Sequence, residues 1–68
     1  MNLGPAIKYY RERLGLTRAE LAARADTSPA MVEHWESGRR GISITKLHEV
    51  ANSLGIQLWV LIIKAEQT

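Results

Sequence analysis

Apolar side chains recur at helical spacing in four stretches of this chain, and a fifth stretch breaks the pattern. From Pro5 to Leu14, the side chains of Ile7, Tyr10, Arg11 and Leu14 fall on one helical face. Leu21, Ala22 and Ala25 form a second stripe, and Val32 and Trp35 a third. Leu47, Val50, Ala51 and Leu54 follow the i, i+3, i+4, i+7 rule of an amphipathic helix. The segment Gln57-Leu58-Trp59-Val60-Leu61-Ile62-Ile63 is different, being rich in β-branched and aromatic residues and lacking a helix cap. Read as extended chain, both of its faces are apolar, Leu58/Val60/Ile62 on one and Trp59/Leu61/Ile63 on the other. It predicts a strand, with a short fifth helix as the alternative.

The boundaries between these stretches carry start and stop signals. Pro5 suits an early helical position, and Gly15 ends the first helix. In Thr17-Arg18-Ala19-Glu20 the Thr hydroxyl caps an orphan N–H while the Glu three residues on reaches back, which opens a second helix. Ser28-Pro29 opens a third, with an N-cap followed by a residue whose fixed φ suits the first helical turn. Between them Asp26 stands where the chain must turn sharply, in a left-handed conformation that Asp tolerates better than most residues. Ser43 caps a fourth helix running to Leu54, and Gly55 closes it. Residues 17–36 therefore read as a helix-turn-helix, in which Val32 and Trp35 face inward and Pro29, Ala30, Glu33 and His34 face outward.

Across roughly residues 5–56 the chain resembles the lambda-repressor and Cro-like (Xre-type) helix-turn-helix family. The resemblance is carried, in order, by Arg11-Glu12-Arg13-Leu14-Gly15-Leu16-Thr17, Glu20-Leu21-Ala22, Trp35-Glu36-Ser37-Gly38 and Ala51-Asn52-Ser53-Leu54-Gly55-Ile56. The sequence departs from the family pattern at Arg18, Asp26 and Trp35, where Gln, Gly and an aliphatic residue are common. The resemblance implies an all-α, four-helix domain with a C-terminal strand or short fifth helix used for dimerisation, and double-stranded DNA as partner. It also pairs Arg11, a charge among apolar side chains that needs a counter-ion, with Glu36 in a structural salt bridge.

In such a fold the third helix enters the major groove, where base edges distinguish all four base pairs. His34 is then a donor or acceptor at a base edge, Glu33 an acceptor for a cytosine amino group, and Pro29 and Ala30 contacts for thymine methyls. Arg18, Ser28, Arg39, Arg40, Ser43 and Lys46 are the candidate phosphate contacts that fix register and supply most of the affinity.

Size and charge fit this picture without establishing it. The 68 residues allow one domain, spanning 1–68, with a core small enough that association of two chains is expected. The net charge is only +2, yet residues 1–46 hold eight Lys/Arg against five Asp/Glu, and residues 47–68 one against two. Without cysteine there is no disulfide or thiolate chemistry, and the reducing cytoplasm is the expected compartment. The longest apolar run, Leu58 to Ile63, is far short of a membrane span. His34 and His48 have no ligand set around them, and the serines lack a base-and-orienter arrangement, so neither a metal, a cofactor nor an enzymatic activity is expected.

A lone strand at 57–63 would be a sticky edge, so it is expected to pair with its copy in a homodimer through Leu58, Trp59, Val60, Leu61, Ile62 and Ile63. Residues 41–63, with Gly41-Ile42-Ser43-Ile44 leading through a helix to such a strand, are similar to HipB-type antitoxins. That resemblance implies a protein toxin as a further partner. Two readings thus stay open, a dimeric repressor and an antitoxin acting mainly on a toxin.

Overall fold

A computed structural model describes residues 3–67, which fold into five helices: α1 (Leu3–Arg13), α2 (Arg18–Arg24), α3 (Pro29–Ser37), α4 (Ile44–Ser53) and α5 (Leu58–Gln67). None of these is long and apolar enough to cross a membrane. The caps form as the local sequence dictates. Thr17 Oγ1 accepts from Glu20 N–H while Thr17 N–H donates to Glu20 Oε1, and Ser28 and Ser43 accept from Met31 N–H and Lys46 N–H.

The first four helices all stop by one device, a left-handed residue after which an N–H reaches back five residues. The bonds are Leu16 N–H to Arg11 O, Thr27 N–H to Ala22 O, Arg39 N–H to His34 O and Ile56 N–H to Ala51 O. Glycine holds the left-handed position at three of these stops, and Asp26, at φ 56°, holds it between α2 and α3. That tight stop sets the angle of the helix-turn-helix.

Ala6, Ile7, Leu21, Val32, Trp35, Leu47, Val50, Ala51, Leu54, Leu61 and Ala65 lie in one continuous core. α1 runs across the centre, between α3 on one side and α5 on the other. At Gly4 the α1 backbone comes so close to α3 that a Cβ would stand 2.6 Å from Glu36 O and nearer still to Trp35 O. Leu14 departs from the expected α1 face: the helix ends at Arg13, so Leu14 falls beyond the packed surface and is 51% exposed.

The tail takes the second of the two forms expected of it, and the favoured strand is corrected. Residues 58–67 form a helix and not a strand, and Leu61 and Ala65, at i and i+4, are fully buried in the chain's own core. Helix satisfies the backbone polar groups of this segment internally, whereas a single strand would leave them open, and packing against α1 and α4 overrides the β preference of its side chains. Leu61 is therefore not a dimerisation residue. Leu58, Val60 and Ile62 are half-buried, and Trp59 and Ile63 are the large apolar side chains that α5 leaves exposed. The terminal strand is one part of the likeness of residues 41–63 to HipB-type antitoxins, and that part is replaced by α5.

Candidate nucleic-acid interface

The outward side of α3 is built by its inward side. Val32, Trp35 and Glu36 are buried, which turns Pro29, Ala30, Glu33 and Ser37 to solvent and leaves His34 half-buried. Two basic side chains, Arg39 and Arg40, follow directly after the left-handed Gly38 and are exposed. Neither has an ion-pair partner among the described residues. The N-termini of α2, α3 and α4 carry Arg18, Ser28 and Ser43. Because Ser28 and Ser43 use an oxygen lone pair for capping, each hydroxyl proton remains a donor for an incoming group.

Beneath this surface Glu36 joins three elements. Its buried carboxylate accepts from Arg11 Nε at 2.6 Å and Nη2 at 3.2 Å, and from Arg18 Nε at 3.0 Å. Arg11 also donates through Nη1 to Leu16 O at 2.7 Å, fastening the end of α1. The hydrogen bonds that Arg11 donates to Glu36 hold its guanidinium above its already high ordinary pKa, against the opposing pull of burial. One carboxylate thus meets two guanidinium groups, and Glu12 Oε2, 3.9 Å from Arg11 Nη2, adds a second negative charge at the edge of the cluster. Arg11 and Glu36 are buried, while the side chain of Arg18 is 45% exposed.

Lys46 has a different setting from the arginines. Its Nζ donates to Ala25 O at 3.2 Å, to Asp26 O at 3.4 Å and to Glu49 Oε1 at 2.6 Å. It fastens α4 to the turn of the helix-turn-helix, and its ammonium is already engaged by three oxygens. Sequence reasoning missed this clamp, and it missed the attachment of Arg18 to Glu36, because both join residues far apart in the chain. A signal for the second lay in the need of a buried carboxylate for more than one donor.

At the start of α2, the Glu20 carboxyl is held below its ordinary range by the Thr17 N–H, then by the Thr17 hydroxyl. His34 and His48 stand on α3 and α4, and among the described residues no group of three or more His, Asp or Glu side chains comes together to hold a metal ion.

This arrangement can place a capped, weakly polar helix face against a surface while the arginines at its C-terminal end meet negative charge. Comparison with known proteins gives it a context. The model of the Helix-turn-helix family matches residues 7–58. The clp gene regulator ClgR from Corynebacterium glutamicum is 32% identical and superposes with a TM-score of 0.93, over 97% of this chain and 86% of that one. SinR, the master regulator for biofilm formation, solved in complex with DNA, is 28% identical with a TM-score of 0.82, over 88% of this chain and 97% of that one. FeII HppE in complex with substrate is 30% identical with a TM-score of 0.81, but the match covers 88% of this chain and only 34% of that one. No curated protein sequence matches the chain.

Proposed function

The chain belongs to the Helix-turn-helix family, as a DNA-binding transcriptional regulator of the lambda-repressor and Cro-like (Xre) type, and we propose that it acts as a dimeric repressor. In this reading α3 enters the major groove of each half of a two-fold operator. Pro29, Ala30, Glu33 and His34 meet base edges, while Arg18, Ser28, Arg39, Arg40 and Ser43 contact phosphates. Lys46 is left out of the phosphate set, because three protein oxygens already surround its ammonium.

The observation that carries the reading is the exposure of one face of α3 beside basic residues gathered at its C-terminal end. Arg18 reaches that end through Glu36, and Arg39 and Arg40 follow it directly after Gly38. Phosphate attraction supplies affinity that depends on salt, and the few groups on the α3 face supply choice of sequence. For association of two copies, the supporting feature is Trp59 and Ile63, which share a face of α5 at i, i+4 and are exposed. Toxin neutralisation has no comparable support once residues 58–67 are helical. The substrate chemistry of HppE does not transfer either, since the likeness covers a third of that protein.

Hydroxyl-radical footprinting on DNA upstream of the gene tests the dimeric arrangement. Two protected half-sites centred about one helical turn apart, roughly 10 base pairs, are expected. A single protected patch at saturating protein would contradict it.

A further inference from the structure

Arg18 differs from the other basic residues of the proposed interface in being held at one atom and open at the rest. Its Nε donates to Glu36 Oε1 at 3.0 Å, while no acceptor among the described residues takes its two terminal nitrogens. Glu36 itself is immobilised, since its side chain is 2% exposed and Arg11 grips both carboxylate oxygens. A guanidinium is planar, so a bond at Nε to a fixed carboxylate orients the whole fork, terminal nitrogens included. A free arginine would lose side-chain rotamer freedom on meeting a phosphate, whereas one already held gives up less.

We infer that Glu36 is a positioning residue for DNA binding: through Nε it aims the guanidinium of Arg18 at a backbone phosphate at the start of α2. The inference rests on the proposed DNA-binding reading and deepens it. Arg11 holds Glu36, Glu36 holds Arg18, and Arg18 holds the phosphate, so the buried pair of the scaffold is continuous with the contact surface. Glu36 shares its negative charge between Arg18 and Arg11, and Arg11 has Glu12 as a second counter-ion at 3.9 Å. Arg18, 45% exposed and with its terminal nitrogens unengaged among the described residues, stays open to a phosphate.

Salt titrations of DNA affinity with Arg18→Gln and Arg18→Lys test the contact and its geometry separately. Arg18 is half-exposed, and circular dichroism checks that both variants fold. Arg18→Gln is expected to lower the slope of log Kobs against log salt by about 0.9, the contribution of one phosphate contact. Arg18→Lys keeps the charge and hence the slope, but lacks Nε, and its affinity is expected to fall roughly tenfold at every salt concentration. Arg18→Lys binding as tightly as the wild type would overturn the positioning role. An unchanged slope for Arg18→Gln would overturn the phosphate contact itself.

The role of Glu36 is read in the unaltered protein, since its replacement would strand Arg11. In the DNA-free protein, the 15N Nε–H group of Arg18 is expected to be as ordered as that of Arg11 and far more ordered than that of Arg39. An Arg18 Nε–H as mobile as that of Arg39 would sink the inference while leaving the DNA-binding reading intact. That reading fails separately, if the wild type shows no preference for any DNA sequence.

Discussion

Leu61→Ala and Ile63→Ala distinguish a helical tail from an extended one. In a strand the two side chains, two residues apart, share a face and would cost similar amounts to truncate. In α5 they diverge, Leu61 being fully buried against the core and Ile63 being 47% exposed. Truncating Leu61 removes about three methylene equivalents at roughly 0.8 kcal/mol each, and the cavity left behind adds to that, giving about 3 kcal/mol. Truncating Ile63 gives up part of a half-exposed side chain and gains helix propensity, for a net cost below about 1 kcal/mol. Against a total stability of roughly 3–10 kcal/mol for a chain this size, the first change is severe and the second mild. Urea denaturation at two protein concentrations measures both. Dimerisation through Ile63 would make its cost concentration-dependent, whereas the Leu61 cost arises within one chain and stays constant. Equal costs for the two variants would refute the helical assignment and restore the strand.

Three further predictions concern the turn, the cap and the reading face. Asp26→Gly relieves a left-handed residue at φ 56° and is expected to stabilise the protein by about 0.5–1 kcal/mol, seen as a rise in Tm of several degrees; a fall in Tm would mean that the Asp side chain contributes more than its backbone costs. The folded-state pKa of Glu20 lies below its unfolded value, so its contribution is complete above the unfolded pKa and is lost as pH falls through the folded one. Glu20→Gln should accordingly flatten the stability profile on the acid side, and an unchanged acid limb would show that the capping box is not linked to protonation. Arg39→Ala is expected to weaken DNA binding alike on all sequences and to lower the salt slope by about 0.9, whereas His34→Ala is expected to change the preferred sequence in a selection from random duplexes; an unaltered preference would remove His34 from base reading.

The features legible in the sequence were those that a few neighbouring residues decide. The Thr17–Glu20 box, the Ser28-Pro29 start, the Ser43 cap and the left-handed Asp26 each depend on four or five consecutive residues, and each forms. Periodicity likewise placed Leu21, Val32, Leu47 and Val50 in the core. The tail was not legible, because a segment apolar at nearly every position has no period to read, and the face buried against α1 and α4 decides its state. Side-chain attachments across the fold were equally hidden. Lys46 reads as a surface cation until Ala25 O and Asp26 O are brought to it, and Arg18 reads as a free phosphate contact until Glu36 meets it from α3. The arginines after Gly38 were simpler to place, since a loop after a helix stop is exposed in most folds.

Fluorescence anisotropy with DNA from just upstream of the gene, beside a scrambled duplex and at two salt concentrations, tests the central claim most directly. Tight binding to the upstream DNA, much weaker binding to the scrambled duplex, and a preference that survives the higher salt are expected. Weak binding to both duplexes that vanishes as salt is raised would leave only non-specific attraction, and would contradict an operator-binding regulator of its own gene.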